Sequence, residues 1–278
     1  MTSLSQRGIS RVWNVTHRSP GGPHKRQGFV LEPGHWQEFD PFLLMAEDWF
    51  QTGTFGDHPH RGMETVTVVL DGHLQHRDSH GGSGLLGPGD VQWMTAGRGV
   101  VHAEEPVPGE TVHSLQLWLN LSRAQKTAEP RYQDLSGDRL PVRREEGAVV
   151  RVISGASGDV TADTLNHTPV TAVEFVLAAG AAVTQGLPGS YNGFIYVLEG
   201  SGQFGVDGTS GQQGQVLWLG PADGGADSEV SVRAERALRA VLFAGEPIRE
   251  PVVAHGPFVM NSEQEIRQAF ADYQAGKF

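Results

Sequence analysis

The chain has no cysteine among its 278 residues. A disulfide framework, a thiolate zinc site, an iron–sulfur cluster and a cysteine nucleophile are therefore excluded, and a transition metal would need His, Asp or Glu ligands. No apolar run approaches the roughly 18–20 residues that a membrane helix needs, so we expect no membrane span. The first residues, MTSLSQRGISRVWNV, lack the apolar core of a signal peptide, and we expect a cytoplasmic protein.

Positive charge is also scarce, because 21 Lys and Arg stand against 32 Asp and Glu, for a formal net charge of -11. Duplex affinity rests largely on Lys and Arg that neutralise phosphates, so this balance argues against a nonspecific nucleic-acid-binding protein. The stretch VRREEG is too short and too mixed in sign to form a basic patch. The acidic charge fits a protein partner better than direct contact with DNA.

Glycine and proline are abundant, with 37 and 16 residues, and they separate short apolar runs at spacings typical of an all-β sandwich or barrel. We predict strands at ETVTVVL, DVQWM, HSLQLWLNL, VVRVIS, AVEFVLA, GFIYVLEG, GQVLWLG and LRAVLFAG. In HSLQLWLNL, four leucines alternate with Ser114, Gln116, Trp118 and Asn120. This period of two indicates a half-buried strand rather than a helix.

An internal repeat divides the chain. TVTVVLDG, which ends at Gly72, resembles GFIYVLEG, which ends at Gly200, and GPGDVQWM resembles GQQGQVLWLG downstream. We therefore predict a first domain over residues 1–120, a polar linker over 121–147 and a second domain over 148–278. The tail NSEQEIRQAFADYQ has a capping box from Ser262 to Glu265 before an apolar helical face, which predicts a C-terminal amphipathic helix.

The stretch DHPHRGMETVTVVLDGHLQHRDSHGGSG places His58 and His60 two residues apart, so on an extended backbone both imidazoles project to one side. In TAGRGVVHAEEP, His102 and Glu104 have the same spacing. Two such pairs on different strands of a barrel would offer one ion three nitrogens and one carboxylate oxygen. That set suits iron, and also copper, nickel, manganese or zinc, and leaves an octahedral ion two open positions.

These motifs carry a family resemblance. FDPFLLMAEDWF, DHPHRGMETVTVVLDG, GPGDVQWMTAGRGVVHAEEP and LQLWLNL resemble, in order, the signatures of the pirin family, two-barrel members of the cupin superfamily. GFIYVLEG and PIREPVVAHGPFVMNSEQEI match the second half more loosely. The resemblance implies two tandem jelly-roll β-barrels with a C-terminal helix. It also implies one mononuclear metal, usually Fe(II), bound in the first barrel by His58, His60, His102 and Glu104.

Glu64 is an alternative to Glu104, because in many other cupins the first motif supplies the acidic ligand and Glu64 occupies that place. Counting residues places Glu64 on the same face as His60, so parity leaves both carboxylates open. The pirin pattern favours Glu104, and Glu64 would then be an outer partner or a residue at the ladder edge.

Other residues near the motifs have plain structural interpretations. We expect surface or hydrogen-bonded positions for His73, His76 and His80. His76 shares parity with Asp78 and is also a candidate for an outer partner that faces the barrel interior. Core positions are expected for Phe55, Trp93 and Trp118. Arg61 would meet an anionic substrate, balance a carboxylate or form a plain surface ion pair.

The second barrel is predicted to lack a metal. Aligning the copies on Gly72 and Gly200 places Gly186 and Pro188 opposite His58 and His60, and neither can coordinate through a side chain. Continuing the downstream alignment places Asp227 near His102 and Glu229 near Glu104. The second barrel would then offer two carboxylates and no imidazole, a poor site for iron.

The resemblance implies quercetin 2,3-dioxygenase activity on a flavonol or a similar aromatic enol, with O2 as the second substrate. The cation would lower the pKa of the flavonol 3-hydroxyl, and Glu104 would accept its proton. The flavonolate would then react with O2, and the ring would open with release of carbon monoxide. The alternative is an iron-containing, redox-responsive regulatory protein that acts through a protein partner, and a purely structural metal fits the open positions less well.

Overall fold

The computed structural model describes residues 4–19, 24–79, 81–222 and 227–278. Its strands, in chain order, are β1 Ser5–Gln6, β2 Ile9–Asn14, β3 His17–Arg18, β4 Lys25–Leu31, β5 Phe42–Phe50, β6 His58–His60, β7 Met63–Asp71, β8 Leu74–Asp78, β9 Ser83–Leu86, β10 Val91–Thr95, β11 Val100–Pro106, β12 Val112–Asn120, β13 Arg131–Leu135, β14 Val142–Glu145, β15 Ala148–Ser154, β16 Ala156–Ser157, β17 Val160–Thr161, β18 Val170–Leu177, β19 Ala182–Leu187, β20 Asn192–Glu199, β21 Ser201–Phe204, β22 Thr209–Gln212, β23 Gln215–Leu219, β24 Ser228–Ala234, β25 Leu238–Gly245, β26 Val253–His255 and β27 Phe258–Met260. Helices α1 and α2 span Trp36–Phe39 and Glu263–Gln274, and a 3-10 turn spans Arg123–Gln125. The predicted all-β class with a C-terminal helix is confirmed, and each predicted strand is present.

Contacts divide the chain into two units. The first barrel comprises Thr16–Arg139 with Ile248–Phe278, and the second barrel comprises Met1–Val15 with Leu140–Pro247. This division differs from the predicted one at both ends of the chain, because strand pairing and packing join distant segments. The predicted linker over 121–147 also contains strands: β13 pairs with β10, and β14 pairs with β15.

The first barrel consists of two antiparallel sheets that face each other. One has the strand order β13-β10-β7-β12-β5-β4-β3, and the other has the order β6-β11-β8-β9. Glu104 on β11 accepts a hydrogen bond from Gln116 on β12, so side chains of the two sheets meet in the interior. Since β6 and β11 are neighbours, the two predicted histidine motifs lie side by side.

Strand β12 follows the predicted alternation, with one fully buried face and one partly buried face. Leu115, Leu117 and Leu119 are fully buried, as the alternation predicts. On the opposite face Gln116 and Trp118 are partly buried, and Gln116 contacts Glu104 while Trp118 packs against His60. The polar residues of the alternating pattern therefore line the interior of the first barrel.

The second barrel has the sheet orders β14-β15-β18-β25-β20-β23-β2 and β1-β24-β21-β22, with β19 also paired to β24. Its interior is filled by one continuous apolar cluster, which includes Phe175, Phe204 and Leu217. Burial of this apolar surface drives the folding of the barrel. Within the described residues of this interior, the inward side chains are aliphatic and aromatic with few polar exceptions such as Gln185.

The residues that the repeat alignment places opposite the histidines do not point into the second barrel, because the alignment is off by one residue in the alternation of faces. Gly186 pairs with Glu229 in the ladder between β19 and β24. The neighbouring residues Leu187 and Val230 belong to the apolar cluster, so Gly186 and Glu229 lie on the opposite face. Asp227 shares the parity of Glu229, so neither carboxylate occupies the place of His102 or Glu104. The absence of a metal from this barrel stays a prediction.

Helix α2 begins as the capping box predicts. The Ser262 hydroxyl accepts a hydrogen bond from the Glu265 N–H, and the Glu265 carboxylate accepts one from the Ser262 hydroxyl. Ile266 and Ala269 are buried against Phe258 and its neighbours, which belong to the first barrel. None of the helices in the described part of the chain is long and apolar enough to cross a membrane.

Candidate metal centre

Three of the predicted ligands meet in the interior of the first barrel. Strand β6 pairs antiparallel with β11, and His58 lies directly opposite His102. His60 and His102 are 2% and 1% exposed. Among the described residues, one ligand nitrogen from each of His58, His60 and His102 lies within 4.8 Å of the other two. The sequence motifs therefore form one compact cluster of imidazoles.

The surroundings of the three rings leave nitrogen lone pairs available to a metal. His58 Nδ1 lies 2.7 Å from the Gly56 carbonyl oxygen, so this nitrogen carries the proton and Nε2 presents a lone pair. Within the described chain, the ring nitrogens of His60 and His102 are buried without a hydrogen bond of normal geometry. Buried polar atoms without partners are rare in native proteins, and a bound ion is one explanation for them.

Both buried rings are neutral. Burial lowers the pKa of His60 well below its ordinary value, and His102 and His58 add to the effect while the Pro257 carbonyl opposes it. Burial, together with His58 and His76, likewise lowers the pKa of His102. Neutral imidazole is the form that binds metals. The donor set therefore fits a divalent transition metal, with three nitrogens as ligands.

Glu104 lies on the same strand as His102 but has its own partners. Its side chain is buried, and its two oxygens accept hydrogen bonds from the Thr67 hydroxyl at 3.0 Å and from the Gln116 amide at 2.7 Å. It does not belong to the group of ligand atoms within 4.8 Å that the described histidines form. The structure thus places Glu104 in the barrel interior, and its role as fourth ligand stays a prediction.

Glu64 faces away from the histidines, contrary to the count by parity. It pairs with Leu119, whereas its neighbour Thr65 pairs with Trp118, the residue that packs against His60. Directly opposed residues share a face, so Glu64 lies on the leucine face of the sheet. Parity fails because β6 and β7 belong to different sheets and Gly62, with φ of 80°, breaks the extended backbone between them. The Glu64 carboxylate accepts a hydrogen bond from the buried Thr95 hydroxyl at 2.7 Å.

The remaining histidines divide into exposed and interior positions. His73 forms an exposed ion pair with Glu110 at 3.0 Å, as the structural interpretation predicts. His76 is buried, and its ring lies 5.7 Å from that of His102 and 4.3 Å from that of Tyr132. His80 lies outside the described residues.

The three aromatic residues that we expected in the core lie there or beside the site. Trp93 is fully buried, and Phe55 packs against a small apolar cluster around Phe50. Trp118 packs edge-on against His60, with the two ring centroids 5.1 Å apart. The Arg61 guanidinium forms a partly buried ion pair with Asp272 at 2.9 Å.

One interior carboxylate was not singled out from the sequence. Asp48 on β5 is 4% exposed, and burial raises its pKa to about 6, although Lys25 opposes the shift at 3.9 Å. Thr67 and Gln116, which hold Glu104, were also missed. The signal for Thr67 and Gln116 was their alternation with buried apolar residues, whereas Asp48, between Glu47 and Trp49, carried no such signal.

Comparisons with known proteins identify relatives of this fold. The pirin profile matches residues 24–119, and the profile of the pirin C-terminal cupin domain matches residues 172–278. A pirin-like protein of Solanum lycopersicum is 44% identical over 243 residues, which cover 87% of this chain and 82% of that protein. A protein of Geobacillus kaustophilus with a crystal structure is 56% identical in sequence to this chain. The two structures superpose with a TM-score of 0.88 over 90% of this chain and 100% of that one. Quercetin 2,3-dioxygenase from Acinetobacter baumannii is 31% identical, with a TM-score of 0.86, covering 99% of both chains.

Two jelly-roll barrels, one with a cluster of inward-facing histidines, define the chain as a two-barrel cupin. The two profile matches and the identity to the tomato protein show that it belongs to the pirin family. The family expectation drawn from the sequence motifs is confirmed.

Proposed function

We propose that the first barrel binds one divalent transition metal, Fe(II) in the first instance, and that the protein opens the ring of a flavonol with O2. The observation that supports this most is the cluster of His58, His60 and His102, whose ligand nitrogens lie within 4.8 Å of one another and of which His60 and His102 are buried and neutral. The likeness to a quercetin 2,3-dioxygenase over 99% of both chains supports the choice of reaction.

His58, His60 and His102 would hold the metal through their nitrogens, with Glu104 as the fourth ligand. Copper, nickel, manganese and zinc suit the same donor set and are the alternatives to iron. When bound, the metal supplies a Lewis acid that lowers the pKa of a substrate hydroxyl.

Glu104 is the group that we assign to proton transfer. Each of its oxygens accepts one hydrogen bond, from Thr67 or from Gln116, and so retains a second acceptor position for the proton of the enol hydroxyl. The two donors fix the carboxylate, while the Trp118 ring against His60 excludes water from one side of the cluster. One flavonol and one O2 then give one ring-opened ester and one carbon monoxide.

The test is turnover by metal-loaded protein. After Fe(II) loading without air, admission of O2 should cause quercetin absorbance to fall with equal consumption of O2 and release of carbon monoxide. His60→Ala should abolish this activity, whereas His73→Ala, at an exposed histidine in an ion pair with Glu110, should leave it unchanged.

A protein that binds iron but turns over no flavonol or related enol would contradict the enzymatic proposal. That result would favour the alternative, a redox-responsive regulator that acts through a protein partner. The cytoplasmic location is likewise a prediction from the sequence.

A further inference from the structure

We infer that the segment 257–278, which follows the second barrel in the sequence, is a clamp that positions the His60 strand and sets the metal affinity of the site. This inference rests on the metal site of the proposed function. It assigns to this segment a role in positioning the ligands, and to Lys126 and Arg61 the contacts through which the clamp acts.

The backbone next to His60 is held by the clamp. The Val259 N–H donates to the Arg61 carbonyl oxygen at 3.0 Å, and the Arg61 N–H donates to the Pro257 carbonyl oxygen at 3.3 Å. Arg61 and Phe258 thus form a parallel β-bridge immediately after His60 in the chain. Any displacement of the clamp would move the backbone beside His60.

Gly62 shows how closely the two segments approach. Its φ is 80°, and a Cβ at this position would lie only 2.0 Å from the Val259 carbonyl oxygen. The buried Lys126 ammonium joins both segments, donating to the carbonyl oxygens of Gly62 at 2.8 Å and of Val259 at 2.9 Å, and also to the Asn120 side chain at 2.6 Å. Glycine in the HPHRG motif is therefore required by the contact with the clamp as well as by the turn.

The Arg61 side chain extends the clamp to the second ligand strand. Its Nη1 donates to Asp272 on helix α2 at 2.9 Å, its Nε donates to the Arg98 carbonyl at 2.5 Å, and its guanidinium lies over the Phe278 ring at 4.6 Å. A Cβ on Gly99 would lie 2.8 Å from that same ring. Because Gly99 immediately precedes β11, the clamp also braces the start of the strand that bears His102.

The consequence for the site follows from the tolerance of metal coordination. Ligands must be held within about 0.5 Å of their productive geometry, and contacts that orient them typically change metal affinity about 10–100-fold when they are removed. The clamp contacts reach the backbone within two residues of His60 and within three residues of His102. Loosening them should weaken metal binding even though no ligand is replaced.

The experiment is a Co(II) titration of the full-length, chelator-treated protein, followed by its visible absorption spectrum. Lys126→Met keeps the length of the side chain and removes its three hydrogen bonds, and should raise the Kd about 10-fold with altered absorption bands. Asp272→Asn releases Arg61 at a less buried position and should raise the Kd about threefold. The control is Glu174→Gln in the second barrel, where Glu174 pairs with Arg151 at 2.6 Å and with Arg239 at 2.7 Å. It should lower stability without changing the Kd or the spectrum.

If the unsubstituted protein fails to bind Co(II), the metal site is wrong, and the clamp proposal and the proposed function are overturned together. If that protein binds and both clamp variants keep its Kd and spectrum, the clamp alone is overturned. Should Lys126→Met not fold, Asp272→Asn decides the outcome. A changed Kd with an unchanged spectrum in all three variants would also count against the clamp, because it would reflect stability rather than ligand position.

Discussion

The two barrels share one architecture and differ in what fills it. The ladder between β6 and β11 turns His58 and His102 into the interior of the first barrel, whereas the ladder between β19 and β24 turns Leu187 and Val230 into the interior of the second. The fold therefore follows from the alternation of residues along the strands, which both halves possess. The chemistry follows from the identity of a few inward side chains, which can change without changing the fold.

This difference also has an energetic side. The apolar interior of the second barrel is stabilised by burial and close packing. The first barrel instead buries Glu104 and Asp48 together with the histidines, and burial of polar groups costs free energy unless hydrogen bonds or a bound ion compensate. A metal bound to the histidines would supply partners for some of these buried polar groups and would stabilise the first barrel.

The largest effect is expected when a metal ligand is removed. Replacement of either histidine of the HPH motif, His58→Ala or His60→Ala, should abolish metal binding while the barrel stays folded, because each removes a strong bond from a small ligand set. Elemental analysis should find one metal ion per unsubstituted chain and none in the variants, with circular dichroism as the check on folding. Full occupancy in both variants would show that the site is wrongly assigned. About two ions per chain, one of them surviving the double replacement, would show that the second barrel binds metal too.

The opposite result, a loss of stability with unchanged metal affinity, is expected for a substitution in the second barrel. Phe204→Ala would leave a cavity in its apolar cluster, and should lower the free energy of unfolding by about 3–5 kcal/mol without changing the metal Kd of the first barrel. Val206→Ala is the matched control, because Val206 is 57% exposed and its truncation should change stability by less than about 0.5 kcal/mol. Urea unfolding and a metal titration measure the two quantities. A weakened metal site in Phe204→Ala would argue that the interiors are coupled.

The two carboxylates of the first barrel can be ranked in the same titration. Glu104→Gln should raise the metal Kd about 100-fold, since it removes the predicted fourth ligand. Glu64→Gln should raise it less than about 10-fold, because Glu64 faces the leucine side of the sheet. The reverse ranking would favour the arrangement of other cupins, in which the first motif supplies the acidic ligand.

The smallest effect is expected on the pH dependence of stability, through the buried Asp48 of the first barrel. The pKa of Asp48 is raised from 3.8 to about 6, so the folded, metal-free protein binds a proton more tightly there than the unfolded chain does. Stability from this group is therefore present at low pH and is lost as the pH rises from about 4 to about 6. Asp48→Asn should remove this loss and stabilise the metal-free protein at pH 7.5 by about 1–3 kcal/mol.

Urea unfolding of Asp48→Asn and the unsubstituted protein at pH 4.5 and pH 7.5 measures this difference. Asp71→Asn, at an exposed aspartate, should show no such effect. Equal pH dependence in Asp48→Asn and the unsubstituted protein would show that Asp48 titrates as an ordinary carboxyl.

Local patterns in the sequence were enough to predict the strands, helix α2 with its Ser262 cap, and the projection of His58 and His60 to one side of β6. Each of these depends on residues close in the chain or on one period of two. The meeting of His102 with this pair was expected from the family resemblance, and the structure shows it. The facing of Glu64 was not predictable, because the sheet change at Gly62 resets the parity count. The polar lining of the first barrel was hidden for a similar reason: alternation distinguishes two faces of a strand but does not say which of them meets water.

The grouping of chain segments was also beyond local analysis. No local sequence pattern in residues 248–278 predicts that they pack with the first barrel. Their position depends on distant contacts, such as those of Val259 with Arg61 and with Lys126. The same holds for β13, whose pairing with β10 converts part of the predicted linker into a sheet edge. Long-range pairing is decided by the assembled structure rather than by neighbouring residues.

The position of the clamp has a consequence for synthesis on the ribosome. The histidines of the candidate metal centre emerge early, but the residues that brace them follow only after the entire second barrel has been translated. Domains generally fold in order as they emerge, yet the first barrel cannot complete its contacts by that rule. Since the bracing contacts come from residues 257–278, we expect the nascent chain to reach its full metal affinity only after these residues have left the ribosome.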